Sequence, residues 1–224
     1  MFNRNTIKFL KELNQNNNRD WFAENKLRYE DDVRTPALNY IESMTEPMAK
    51  ISPFFVVSAK KVGGSLMRVH KDIRFSKDKT PYKTNIGIQF RHARGKDVHA
   101  PGFYLHIEPG NVFIAAGIWR PESSTLKNVR TLIDEYPEEW KKLSKQISSK
   151  AGFELSGTSL KRPPKGFDKD HPLIIDLKRK DFIAVRNLKI SDIYDKDFTK
   201  VSAKLFKSVS PLVNFICDAD DHAF

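Results

Sequence analysis

Apolar residues recur at steps of three and four through the first fifty positions of the chain. Ile7, Leu10 and Leu13 share one face of a predicted helix over 5–14. Asn16, Asn17 and Asn18 end it, because Asn suits both a helix C-cap and the N-cap of the next helix. A second helix is predicted over 20–31. A third opens at Pro36 with the stripe Ala37, Tyr40/Ile41, Met44, Met48 and Ile51, and Pro47 is placed to kink it.

The period then changes from helical to alternating. Residues 55–58, 66–70, 86–92, 103–108 and 112–118 read as strands. The run Glu108-Pro109-Gly110-Asn111 has tight-turn chemistry and predicts a hairpin from the last two. Beyond Pro121 the helical period returns. Leu126, Val129, Leu132/Ile133 and Tyr136 mark one helix, capped by Ser123 or Ser124, and Trp140, Leu143 and Ile147 mark another that opens at Pro137. A proline-rich basic loop follows at 161–167, then one more strand at 182–186. A final helix carries the stripe Phe198, Val201, Leu205, Val209, Leu212 and Ile216. This order predicts an α+β fold: an antiparallel sheet in the middle of the chain, flanked by N-terminal and C-terminal helices.

Alternation sorts the strand residues onto two faces. Met67, Val69, Ile86, Ile88, Phe90, Phe103, Leu105, Ile107, Val112, Ile114, Ala116 and Ile118 form an apolar set. Opposite them stand Arg68, His70, Gly87, Gln89, Arg91, Tyr104, His106, Glu108, Phe113, Ala115, Gly117 and Trp119. Small residues beside polar and aromatic ones leave room for a ligand. The plain alternative is the wet face of an ordinary antiparallel sheet, or a face covered by a helix carrying Trp21 or Trp140.

Charge sharpens this picture. The 224 residues carry a formal net charge of +11. Residues 60–96 hold eleven Lys/Arg against two Asp, and residues 161–189 hold nine against four. Concentrated basic segments favour anionic partners, namely an anionic small molecule or nucleic acid. Within the loop at 71–83, Lys71, Arg74, Lys77, Lys79 and Lys83 surround Ser76 and Thr80, with Phe75 and Tyr82 interleaved. Arg68 and Arg74 flank the strand-to-loop junction and can grip phosphate or carboxylate bidentately. The competing reading is an Arg/Asp network, with Asp72 and Asp78 as partners, that fastens the loop. Candidate ligand-binding residues are therefore Arg68, Lys71, Arg74, Lys77, Lys79, Lys83 and Arg91, with Tyr104 and Trp119 packing against the body of the ligand.

Other signals weigh less. His92, His99 and His106 recur every seven residues, but the interval crosses Pro101 and Gly102, so no metal site is expected. Two Ser-x-x-Lys matches, at Ser58 and Ser76, show how cheaply a lysine-rich chain makes that pattern. Walker loops and glycine-rich dinucleotide fingerprints are missing from the sequence. Cys217, the one cysteine, sits on an apolar helix, which fits a reducing compartment. No run approaches the roughly 20 apolar residues of a membrane span, so no integral membrane association and a cytoplasmic location are expected.

Five blocks carry a family likeness: NNNRDWF at 16–22, RFSKDKTPYKT at 74–84, HAPGFYLHIEPG at 99–110, GIWRP at 117–121 and LKRPPKGFDKDHP at 160–172. With them the chain resembles a microbial family known only as a domain of unknown function. The resemblance implies one domain covering 1–224 and brings no activity with it.

Two functional classes follow. One is a binding module holding a phosphate-bearing ligand or nucleic acid on the polar face. The other is a hydrolase or transferase acting on an anionic substrate, with His106 as acid/base and Glu108 as its orienter or a second carboxylate.

Overall fold

The computed structural model describes residues 1–95 and 99–224; Lys96, the last residue of the basic segment, lies outside them. The chain opens with α1 (Arg4–Gln15), whose N-cap Asn3 accepts from the backbone of Asn5 and Thr6 in a capping box. α2 (Arg19–Glu24) and α3 (Lys26–Tyr29) follow, then a π-helical turn over Glu30–Arg34 that runs into α4 (Thr35–Ser43). The helix predicted over 20–31 is thus two short helices and this turn. α5 (Thr45–Ile51) begins one residue after α4 ends. The break falls where Pro47 has no N–H to offer the carbonyl of Ser43.

A five-stranded antiparallel sheet occupies the middle of the chain. Its strands are β1 (Ile86–Arg91), β2 (Gly102–Glu108), β3 (Asn111–Ile118), β4 (Glu154–Ser156) and β5 (Phe182–Leu188), in the spatial order β1-β2-β3-β5-β4. The predicted hairpin joins β2 to β3, with Gly110 at φ 83° as the turn requires. Between strands lie α6 (Ser123–Glu135), α7 (Pro137–Ala151) and α8 (Ile174–Leu177), and α9 (Phe198–Ala219) closes the fold. The arrangement is α+β, with helices on either side of the sheet in sequence.

Among the described residues the helices pack on one face of the sheet. Phe206 of α9 meets Phe90 of β1 and Phe103 of β2 edge-on, and Trp140 of α7 packs against Phe182 and Phe215. Tyr40 of α4 is fully buried and bonds to Ser202 of α9 through its hydroxyl at 2.9 Å. Trp21 packs on Phe9, so neither it nor Trp140 lies over the polar face. A fully buried Phe contributes about 1.5–3 kcal/mol, and this layer holds several. Burial also pushes the Cys217 thiol up to about 12, which keeps it protonated inside α9.

Some readings of the sequence are corrected. Residues 55–58 and 66–70 form isolated bridges, Phe55 to His92, Leu66 to Ile88 and His70 to Tyr82, and not regular strands. The pairing slips between them. Met67 donates its N–H to the carbonyl of Gly87, and a continuous register would then set His70 opposite Thr84, yet it lies opposite Tyr82. Met67 and Val69 part company. Val69 is buried, whereas Met67 sits where its sulfur would meet a side chain at Gly87, on the polar side. In α9 the core stripe runs through Phe198, Ser202, Phe206, Val209, Leu212 and Ile216, while Val201 is exposed. Tyr136 is likewise exposed and serves as the C-cap of α6, and Glu122, not a serine, stands at its N-cap. The strand β4 was not anticipated.

Candidate functional site

The second face of the sheet carries no helix among the described residues, and strand register arranges it in rows. Gly87, His106, Phe113 and Asn187 stand side by side across β1, β2, β3 and β5. Gln89, Tyr104, Ala115 and Val185 make the next row, and Arg91, Gly102, Gly117 and Ile183 the third. The two-residue turn at Pro109-Gly110 fixes this pairing: with Glu108 opposite Asn111, His106 must face Phe113.

His106 is the centre of the first row. Its ring stacks on Phe113 with centroids 4.6 Å apart and planes 9° from parallel. Its Nε2 lies 3.3 Å from Glu108 Oε2, and its Nδ1 lies 3.1 Å from the Tyr104 hydroxyl. The neutral tautomer with the proton on Nε2 satisfies both contacts: Nε2–H donates to the carboxylate and Nδ1 accepts from the phenol. Asn85 adds a longer contact to Nδ1 at 3.5 Å, and Thr84 donates to the other oxygen of Glu108 at 3.2 Å.

The electrostatics agree with that assignment. Burial lowers the His106 pKa, with the Glu108 carboxylate pulling the other way. Burial also pushes the Tyr104 phenol up to about 12, and Glu108 adds to the effect. Tyr104 is therefore a firm hydrogen-bond donor at neutral pH. Sequence reasoning placed Phe113 on this face without counting it as a candidate, and missed Thr84 and Asn85. Continuing the alternation back from Gly87 finds Asn85, and counting across the turn reaches Phe113.

The basic loop behaves differently. Arg74 is gripped bidentately by Asp72, with Nε–Oδ1 2.9 Å and Nη2–Oδ2 2.7 Å. Lys71 bonds to Asp78 at 2.8 Å and to Thr80 at 2.6 Å, and Lys79 donates to the carbonyl of Ile73 at 3.0 Å. Lys77 is exposed. Two of the loop's five cations, Lys71 and Arg74, are thus ion-paired within it, and Lys79 is hydrogen-bonded to its backbone.

Besides Lys77, three candidate cations stand apart from that network among the described residues. Arg68 and Lys83 have no carboxylate within ion-pair distance among the described residues, and Lys83 has its pKa lowered by burial first and by Arg68 second. Arg91 is half-buried, and its Nε is enclosed without a hydrogen-bond partner among the described residues. Arg68 feels Arg74 only through Asp72, whose pKa is held at about 2, chiefly by the Arg74 hydrogen bond and slightly by Arg68.

Trp119 lies just past the end of β3. It remains 43% exposed, stacked at 13° on His99 with Arg120 4.6 Å above its ring. Arg120 has the left-handed φ of 48°, held by Asp181, which accepts its backbone N–H at 2.8 Å.

Cavities near the face are small. A depression of about 160 Å³ lined by Lys11, Asn14, Gln15, Thr84, Glu108 and Pro109 lies beside the turn. A gap of about 10 Å³ sits between α1, the π turn and the β1 edge. No group of three His, Cys, Asp or Glu among the described residues is placed to hold a metal ion. No helix among them is long and apolar enough to cross a membrane.

Fold and site together define an α+β protein whose antiparallel sheet is covered by helices on one face and, among the described residues, carries none on the other. The chain belongs to the conserved hypothetical protein family DUF2461, whose model matches residues 5–215. No curated protein and no solved structure matches it.

Proposed function

We propose that this protein binds a phosphate-bearing ligand on the open face of its sheet. One observation carries the reading. Among the described residues, Arg68 and Lys83 at the β1 margin of the sheet and Arg91 in a row of that face have no carboxylate within ion-pair distance, while Lys71 and Arg74 in the neighbouring loop are already paired. Keeping a half-buried guanidinium or ammonium unpaired is costly, and an anion arriving from solvent offsets that cost. Tyr104, His106 and Phe113 supply a flat apolar and hydrogen-bonding surface for the rest of the ligand. Calorimetric titration with pyrophosphate, a mononucleotide and an oligonucleotide tests the reading. Binding that falls with added salt, and is lost in the Arg68→Ala/Lys83→Ala double variant at unchanged melting temperature, supports it. A wild-type protein that binds none of the three probes overturns it.

A second reading, a hydrolase or transferase acting on an anionic substrate, is favoured by the fixed Tyr104–His106–Glu108 array. On this reading His106 moves the proton and Glu108 steadies the imidazolium. Hydrolysis of a phosphodiester or phosphomonoester probe that disappears in His106→Gln would support it. Turnover unchanged in that variant would remove it.

A further inference from the structure

We infer that the phosphate-bearing ligand is single-stranded nucleic acid, laid across the open face from His106 and Phe113 at one end to Trp119 at the other. This rests on the phosphate-binding reading above and names the ligand class.

The first ground is shape. Pockets that enclose small ligands run to about 300–1,000 Å³. The depression of about 160 Å³ lined by Thr84, Glu108 and Pro109, at the edge of the His106 group, falls short of that. A site without an enclosing pocket of that size suits a ligand that gains area by length.

The second ground is spacing. Phe113 and Trp119 are six positions apart along β3 and its extension, roughly 20 Å at the rise of an antiparallel strand. That is further than the base and phosphate of one nucleotide reach together. Between them Ala115 and Gly117, with almost no side chain, leave a low floor. A strand of several nucleotides can stack a base at each end and pass over that floor.

The third ground is charge at both ends. Lys83, two residues before Asn85, and the nearby Arg68 stand at the sheet margin next to the end where Asn85 reaches His106, with Lys83 lining the gap beside α1. Arg91 lies in the row of Gly117, and Arg120 sits over Trp119. Cations spaced along a path, with aromatic rings between them, match the backbone-tracking and base-stacking parts of single-strand recognition. The face offers stacking rings and point charges more than paired donors and acceptors, so sequence preference should be weak.

The test uses the full chain and labelled thymidine oligonucleotides of one to about twelve residues, followed by fluorescence anisotropy. Affinity should climb with length and level off once the face is spanned. Trp119→Leu and Phe113→Leu should each weaken binding about 5- to 100-fold. Trp119 is solvent-exposed, so its variant keeps the test valid even if Phe113→Leu lowers the melting temperature. Oligonucleotide should also quench tryptophan fluorescence in the wild type and not in Trp119→Leu. A mononucleotide that binds as tightly as the longest oligonucleotide overturns the inference and leaves the phosphate-binding reading standing. A duplex that binds more tightly than the single strand, or aromatic variants that bind like the wild type, also overturns it. Failure of every phosphate probe brings down both.

Discussion

The side-chain amide of Asn17 pairs with the backbone of Tyr82, 65 residues away, as another strand would: its Nδ2 donates to the Tyr82 carbonyl at 2.9 Å and its Oδ1 accepts the Tyr82 N–H at 3.1 Å. The Tyr82 ring stacks on Phe22 with centroids 4.0 Å apart. The NNNRDWF block and the RFSKDKTPYKT block therefore meet at one point, and the base of the basic loop hangs from it. Asn17→Ala leaves a backbone donor and acceptor without their partner and should cost about 1–3 kcal/mol. Urea denaturation measures this, and limited proteolysis should show earlier cleavage within 71–81. A variant as stable and as protease-resistant as the wild type would deny Asn17 this role.

Acid should weaken the fold through two histidines. Burial lowers the His92 pKa below the free value of 6.5; the Ala223 carbonyl opposes this, and His222 and Arg94 reinforce it. Burial lowers His106 in the same direction, against Glu108. Each group protonates more readily in the unfolded chain. Their contribution is complete above about pH 6.5 and is lost as the pH falls through the folded values. Urea midpoints at about pH 7.5 and about pH 5 should differ, and the gap should narrow in His92→Gln. An unchanged gap in that variant assigns the acid sensitivity elsewhere.

Freeing the loop's cations should strengthen anion binding. Asp72 and Asp78 occupy Arg74 and Lys71. The Asp72→Asn/Asp78→Asn variant should bind oligonucleotide more tightly. Its logarithmic salt dependence should steepen by about 0.7 for each extra phosphate engaged. Equal slopes for variant and wild type would show that these cations lie off the ligand's path.

Asp181 is almost wholly buried and accepts three hydrogen bonds, from the N–H of Arg120 and from the N–H and hydroxyl of Thr158. Asp181→Ala should cost about 2–4 kcal/mol. Arg120→Gly removes a side chain from a left-handed position and should change stability by less than about 1 kcal/mol. Comparing the two melting curves separates the anchor from the residue it holds.

The regular middle of the fold was legible in the sequence. Alternation through 86–118 and the Pro109-Gly110 turn fixed both the apolar side of β1, β2 and β3 and the company of Tyr104, His106 and Glu108. The slip beside β1 was not legible, because Met67 and His70 obey different registers and no local pattern marks where one yields to the other. In α9, Val201 and Phe206 compete at nearly equal helical spacing, and the volume waiting between Phe90 and Phe103 decides for Phe206. Charge counting located the basic loop, but which cations are already paired depends on side-chain reach.

The sheet's two borders have a consequence for self-association. An unpaired border strand is a template on which other chains can add. Here the β1 border is occupied by short stretches around Phe55 and Leu66, joined to it by single bridges. The opposite border is β4, only three residues long. Neither side offers a long straight ladder of free N–H and C=O groups. Among the described residues, a chain adding to this sheet would meet only these short segments at either margin, so the bare face is not accompanied by a long pairing edge.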